Sequence, residues 1–476
     1  MTTTFTAHDT PATEASEAPT CVAQAIRNAA RADDKSLPLL VLLQPLVNPG
    51  FPAVPFRLEP LSLMVIAGLT PRDKWRVKIL DGDVVQKQER LVDPEATLVG
   101  ITLVQATQVS GFKAADAYRK LGIPVIIGGP GVALEPETAA QHADSIVIGE
   151  VEGRWEQILE DALAKRLKPV YRLGQATSFA GTTPARDLIP HYRWRYFGAT
   201  LIQTTRGCPH ICPFCAPAVF YGQKLRHRPV ADVVAEIAAV KKKYGRNMFG
   251  FTDDNLAGNR TYARELFTAL IPLKIGWGGQ ACIYIARDLE LLDLAKRSGC
   301  RSLLIGLETT EQDSMDETKK GLKVDDYPEL IRRLQDRDIM IIATFTIGHD
   351  HDDDATYDRV LNYCRTHRLD FPLFMTLQIH PGIPLYNQMK AAGRLYDDPA
   401  GISPFRAAYQ PAKLTRAEIP RRLADLYDRY YNWRFILGNL WHWLIRGRFR
   451  RFASLIAVYG AYFSFVRKAA RPPKGH

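Results

Sequence analysis

Twice along this 476-residue chain, short apolar runs alternate with segments of helical periodicity. Strands separated by helices cannot close as hairpins, so each series calls for a parallel sheet with crossover helices. The first series occupies 38–170, with strands expected over 39–44, 76–80, 97–102, 124–127 and 146–148. Helices are expected over 61–69 and 109–121, with another running to Leu163. The second series occupies 199–395, with strands over 199–203, 247–252, 275–282, 302–306, 340–347 and 374–379. Its helices are expected over 229–243, 289–298 and 327–336. Between the two, 171–198 carries Pro184, Pro190 and a Gly/Thr/Ser cluster and reads as a linker. In such folds ligands gather beyond the carboxyl ends of the strands.

Directly behind the strand 199–203 the chain reads Thr205-Arg-Gly-Cys208-Pro-His-Ile-Cys212-Pro-Phe-Cys215. Three thiolates at C-x3-C-x2-C spacing on one loop can hold three corners of a cubane iron–sulfur cluster. The fourth iron is then open to bind and cleave a small molecule. A structural zinc wants four ligands, and His210 lies awkwardly between the first two cysteines. A disulfide within the loop is rare in a reducing compartment. Ferredoxin-type carriers use four cysteines. Cys21, Cys282, Cys300 and Cys364 are scattered singly and read as small core hydrophobes.

The loop resembles the signature of the radical S-adenosylmethionine (SAM) enzymes, and the six βα units are similar to their partial (β/α)6 barrel. The resemblance implies a [4Fe-4S] cluster on Cys208, Cys212 and Cys215, with SAM at the open iron. It implies SAM contacts from Phe214 near the adenine and from Asp253, Asp254 and Asn255, which stand where the family often has G-G-E. Gln280, Glu308 of Gly306-Leu-Glu308, and Gly348, leaving room for the adenine, complete the implied set. Plainer readings stand beside these: Phe214 as an apolar plug, Asp-Asp-Asn as an ordinary turn, Glu308 as a helix N-terminal charge. Arg206 either neutralises site charge or makes a structural ion pair. His349, His351 and the run Asp350–Asp354 form a continuous acidic loop, which rarely converges on a metal and is expected to be a solvated loop or a helix N-terminus. Tyr386 either lines the substrate cavity or caps the barrel. No residue stands out as catalytic.

In the first series, Gly128-Gly129-Pro130-Gly131 follows the fourth strand, and Gly149-Glu150-Val-Glu152 precedes a helix containing Trp155. This order resembles the cobalamin-binding domain upstream of many radical SAM enzymes, among them hopanoid methylases and the anaerobic magnesium-protoporphyrin ester cyclase. There the G-G-P loop accommodates the nucleotide tail of cobalamin. Asp81-Gly-Asp83-Val-Val-Gln86 stands where many cobalamin proteins carry D-x-H-x-x-G, so a cobalt-ligating histidine is missing. The alternative is a Rossmann-like domain that binds no cofactor.

The expected class is therefore α/β: a Rossmann-like cobalamin-binding domain, a partial (β/α)6 radical SAM barrel and a helical tail. The expected divisions are a flexible leader (1–36), the cobalamin-binding-like domain (37–170), the linker (171–198), the barrel (199–395) and the tail (396–476). The first twenty residues hold no Lys or Arg, which does not suit a secretory signal. The longest uncharged apolar stretch, Phe452–Val466, is too short to span a bilayer. A cytoplasmic protein is expected, with peripheral contact to the inner face of the membrane.

Much of the formal charge of +11 belongs to the tail, which has no acidic residue after Asp428. There Arg434, Arg446, Arg448, Arg450, Arg451, Arg467, Lys468, Arg471 and Lys474 are interleaved with Trp433, Trp441, Trp443 and several Phe and Tyr. That composition suits an anionic membrane surface or packing on the barrel. Nucleic acid, the third partner of such stretches, is not expected. The implied reaction is cleavage of SAM to a 5′-deoxyadenosyl radical, fed by an external electron donor, for C-methylation of a hydrophobic lipid or natural product. The alternatives are oxidative cyclisation or rearrangement of a tetrapyrrole or lipid and, from other classes, an iron–sulfur electron-transfer protein or a membrane-surface binding protein.

Overall fold

The computed structural model describes residues 34–48, 57–196, 198–396, 403–461 and 463; most of the expected leader lies outside them. The first series forms a fully parallel six-stranded sheet of β1 (Leu39–Gln44), β2 (Arg76–Asp81), β3 (Leu98–Thr102), β4 (Val125–Gly128), β5 (Ser145–Gly149) and β6 (Val170–Gly174). Its order is β2-β1-β3-β4-β5-β6. The Leu-Leu-Val-Leu-Leu run of β1 is buried throughout, as a central parallel strand covered on both faces must be. Leu43, Ile101 and Ile127 pack with Ala114 and Tyr118 of the helix Gln108–Lys120. On the other face Leu40, Leu42 and Ile126 pack with Leu63 and Ala67 of Leu61–Leu69 and with Trp155, Ile158 and Leu159 of Trp155–Leu163. The chain leaves β1 for β2 on one side and returns to β3 on the other. That reversal opens a crevice at the carboxyl ends of β1 and β3.

β6 crosses the expected boundary at 170. Only Tyr171 of this edge strand is buried, so no apolar run announces it. The rest of 171–198 is not a loose linker either. Ile189, Tyr192 and Tyr196 cluster with Met64, and the hydroxyls of Tyr192 and Tyr196 donate to Glu59 and Asp81.

The second series opens with β7 (Thr200–Ile202) and a two-stranded antiparallel ribbon, β8 (Thr205–Arg206) with β9 (Arg226–His227). It continues with β10 (Met248–Phe251), β11 (Gly276–Gln280), β12 (Cys300–Glu308), β13 (Met340–Ile347) and β14 (Phe371–Thr376). All but the ribbon form one parallel sheet in sequential order, with β7 and β14 at its two edges. β14 starts earlier than its expected span and contains Pro372, which an edge strand tolerates.

At the β7 edge, the Leu201 amide donates to Glu59 (2.6 Å) and the Leu201 carbonyl accepts from Arg186 (2.7 Å). Arg186 also bridges to Glu236 at 2.6 Å, so one buried ionic group joins the first domain, the connecting segment and the barrel. Beyond the barrel, the helix Ile419–Tyr430 lays Tyr427 and Tyr430 on Phe374 of β14. The helices Trp433–Ile445 and Phe449–Ala461 follow. Among the described residues no helix is long and apolar enough to cross a membrane.

Candidate functional site

The cysteine loop runs between β8 and β9, two strands too short to hold it by themselves. Three outside groups fix it. Asp253, at the end of β10, accepts from the Thr204 hydroxyl (2.7 Å), the Thr204 amide (3.1 Å) and the Thr205 amide. This fully buried carboxylate is committed to the strand-to-loop corner, so the SAM contact expected of it is corrected to a structural duty. Leu385, in the Pro381-Gly-Ile-Pro-Leu-Tyr386 stretch, donates its amide to the Pro213 carbonyl at 3.0 Å, while Tyr386 packs against the barrel core.

The third group is the acidic turn of the first domain. Glu150 accepts from Arg206 at 2.8 Å and from both terminal nitrogens of Arg226 at 2.7 and 2.5 Å. Glu152 accepts from Arg206 at 2.6 Å. Arg206 is thus an ion-pair residue, and the turn clasps both strands of the ribbon. Burial works to raise the Glu150 pKa, but the two guanidiniums hold it below the usual carboxylate range.

Cys208, Cys212 and Cys215 are free thiols, Cys212 buried and the others half-buried. Burial pushes all three up, Cys212 to about 12 and Cys215 to about 11. Holding them as thiolates therefore needs a cationic centre among them. Among the described residues no three His, Cys, Asp or Glu side chains converge as for a single metal ion. A tetrahedral zinc with ~2.3 Å bonds would need its sulfurs within about 4 Å of one another, whereas a cubane spreads three thiolates over three irons.

Two further strand ends face this loop. Asn255 accepts from the Cys282 amide (3.2 Å) and donates to Cys208. Asp254 is half-buried and has no hydrogen-bond partner among the described residues; its charge is felt at Cys208 and Cys215. Burial, then the neighbouring Asp253, pushes it up to about 6. From the end of β12, Glu308 accepts from Lys320 at 2.7 Å, and Lys320 also donates to the Gly306 carbonyl at 2.8 Å. Gly306 leaves the room this pair fills: a Cβ there would lie 2.2 Å from Glu308 Oε1 and 2.6 Å from Lys320 Nζ.

Burial opposes the charge of Lys320, yet Glu308, then Cys282 and Cys212, hold its pKa above the usual range. Lys320 did not stand out in the sequence, because Lys319-Lys320-Gly321 reads as a solvated pair before a turn. Only the fold brings it to the cysteines.

The remaining expected SAM contacts fare differently. Phe214 is half-buried against the barrel core, and Gln280 is exposed at the end of β11. At Gly348 the side on which a side chain would stand is filled by Tyr409. At this glycine's φ of +118° a Cβ would lie 2.3 Å from the Tyr409 hydroxyl, which donates to the Gly348 carbonyl at 2.6 Å. The acidic run is not simply solvated either. His349 and Asp352 are buried, and Asp352 accepts from the amides of Gly348 (2.8 Å) and His349 (3.0 Å) and from the Ser314 hydroxyl (3.0 Å).

A cavity of 1330 Å³ opens at the crevice of the first sheet. Gln44, Thr102, Gly128, Gly129 and Pro130 form its strand-end wall, and Asp83 and Gln86 also border it. Gly131 is not on the wall; it is buried, with its amide donating to the Leu103 carbonyl at 2.8 Å. The far wall belongs to the barrel: Gln203, Arg206, Phe220, Tyr221 and Thr252. One space is thus shared between the glycine loop and the neighbourhood of the cysteines.

Comparison with known proteins agrees with this geometry. The model of the radical SAM superfamily matches residues 202–364, and that of the B12 binding domain matches 52–159. The bacteriochlorophyllide d C-12(1)-methyltransferase of Chlorobaculum tepidum is 26% identical over 409 residues, covering 83% of this chain and 88% of that protein. The chain belongs to the radical SAM enzymes that carry a B12 binding domain. The hopanoid C-2 methylase of Rhodopseudomonas palustris is 25% identical over 358 residues, covering 72% of this chain and 66% of its own length. In fold, the chain is similar to the radical SAM methyltransferase TsrM from Kitasatospora setae, solved with cobalamin and a [4Fe-4S] cluster. The TM-score is 0.60 at 17% identity, over 80% of this chain and 85% of that one.

The cofactors of a cobalamin-dependent radical SAM enzyme are a [4Fe-4S] cluster, SAM and cobalamin. The residues present fit them. Three free thiols share one anchored loop, an unpartnered carboxylate faces that loop, and a large cavity lies at the switch point of the first sheet.

Proposed function

We propose that this enzyme methylates a carbon of a large apolar substrate, a lipid or a natural product such as a tetrapyrrole, and works at the periphery of a membrane. The observation that carries the reading is the shared 1330 Å³ cavity, walled by the glycine loop on one side and by Gln203, Tyr221 and Thr252 on the other. A space continuous between the two domains lets a substrate carbon meet both cofactors without leaving the protein. The names of the relatives, which act on bacteriochlorophyllide and hopanoids, support a hydrophobic substrate.

In this reading Cys208, Cys212 and Cys215 hold the cluster through three of its irons. Asp254 accepts the ammonium of SAM, for which it is free. Glu308 is held by Lys320 for the ribose or methionyl part, and Phe214 keeps water from the cluster side. Gly128, Gly129 and Pro130 border the cobalamin tail. When bound, the cluster and SAM supply a hydrogen-abstracting radical and cobalamin supplies the methyl group. The protein contributes orientation and a largely apolar space shared by the two domains.

The test is anaerobic reconstitution with iron, sulfide and cobalamin, followed by SAM, a chemical reductant and candidate substrates of both classes. Formation of 5′-deoxyadenosine together with a product heavier by one methylene unit is expected. Failure to cleave SAM would end the enzymatic reading. A product that has only lost hydrogen would replace methylation by oxidative cyclisation.

A further inference from the structure

The helix Trp433–Ile445 has two apolar faces; one is buried and, among the described residues, the other is largely exposed, with Trp433 at its start stacked on Phe463 (ring centroids 5.0 Å). Ile436, Asn439 and Trp443 are buried, and the Asn439 side-chain amide donates to the Tyr459 hydroxyl (2.8 Å) of the last helix. On the opposite side Trp433, Leu437, Trp441 and Ile445 recur every four residues, which sets them in one row along the helix. Phe449 and Ile456 of Phe449–Ala461 are exposed as well, and all six side chains are 50–66% exposed. A helix that is apolar all round is ordinarily buried all round.

The charge beside this ridge is mostly cationic. Arg434 is exposed on the helix, and the turn after it reads Arg446-Gly447-Arg448. Next to the turn lies a 1050 Å³ cleft between Tyr327–Asp336, the end of Thr356–Thr366 and the end of Trp433–Ile445. Arg332, Arg368, Arg446 and Arg448 line it with His367 and His442. Glu329 and Asp336 are also on its wall, but they pair with Arg333 (2.5 Å) and Arg332 (3.0 Å). Among the described residues Arg368 and Arg446 have no carboxylate partner. His442 sits beside Arg368, Arg446 and Arg451, and burial, then those charges, hold its pKa below the usual range.

We propose that the last two helices dock on an anionic bilayer, with the Trp433–Leu437–Trp441–Ile445 ridge in the lipid interface and Arg368 and Arg446 receiving lipid phosphate. Apolar surface flanked by a surplus of cations matches a surface that offers hydrocarbon and continuous negative charge together. At ~1.5 Å per residue each helix is about 20 Å long, short of the ~30 Å hydrocarbon core, so the pair lies in the interface plane. Tryptophan favours that depth. The inference deepens the reading of an apolar substrate, which such a surface would draw from the bilayer. Vesicle binding needs neither cofactor nor turnover, so either reading can fail alone.

The experiment is co-sedimentation of the full chain with vesicles of phosphatidylcholine, with and without phosphatidylglycerol, over a range of salt. Binding to the anionic vesicles that weakens with salt is expected. W433S with W441S should lower partitioning at least about tenfold. R368Q with R446Q should lower it and flatten the salt dependence. All four side chains are at the surface, so far-UV circular dichroism and the unfolding midpoint should stay as in the wild type. The proposal is overturned if the wild type ignores both vesicles or binds them equally, or if the tryptophan variants still bind as well. A dimer that those variants abolish, without vesicle binding, would assign the ridge to a second copy and overturn it too.

Discussion

Asp253 and Asp254 are neighbours with opposite duties, because successive residues at a strand end face opposite ways. Asp253 turns inward to three donors from Thr204 and Thr205, and Asp254 turns to the cysteines without a partner. The sequence offers two equal carboxylates; only the β7–β10 pairing assigns them. D253N should therefore impair cluster loading, read as iron per chain. D254N should keep its iron and lose about tenfold to a hundredfold in SAM cleavage, the worth of one hydrogen bond to a charged group.

His380 makes a separate prediction at this scale. Burial lowers its pKa from 6.5 to about 4, and its buried Nδ1 has no hydrogen-bond partner among the described residues. The unfolded chain binds the proton more readily, so this contribution to stability is full above pH 6.5 and is lost as pH falls toward about 4. The loss is at most about 3 kcal/mol at 1.36 kcal/mol per pKa unit. Urea midpoints measured across that range should fall for the wild type and flatten in H380F.

At the scale of elements, what could be read from the chain followed burial. The central strands β1, β12 and β13 are built around apolar runs (39–43, 303–305 and 340–343) and were legible, as were helices such as Leu289–Ser298 and Tyr327–Asp336 with one apolar stripe. β6 and the β8–β9 ribbon were not, since one buried tyrosine and two-residue strands leave no period to see. That ribbon carries the cysteine loop, and its geometry depends on Glu150 from another domain. E150Q leaves two guanidiniums short of their shared carboxylate, at a cost of about 3 kcal/mol. Iron content and cobalamin absorbance should fall together in that variant, whereas two independent sites would be affected one at a time.

For the whole molecule, Glu59, Arg186 and Glu236 make one buried ionic group from three parts of the chain. Such a group couples the two sheets. The wild type should unfold in a single calorimetric transition, and E59Q should separate the barrel and the first domain into two. None of this is visible in a single sequence, because Glu59, Arg186 and Glu236 are far apart along it and look like ordinary charged residues.

The hold of Glu59 and Arg186 on Leu201 has a further effect. A strand at the border of a sheet carries free amides and carbonyls that can template another chain, and proteins usually blunt such borders with charge or cover. Here the cover is borrowed: the first domain supplies the carboxylate and the connecting segment supplies the guanidinium. A protease cut or a destabilising change within 175–198 would lift both at once and leave β7 bare. The fate of a damaged molecule is then strand-to-strand aggregation, set by the loss of a cap and not by the loss of its core.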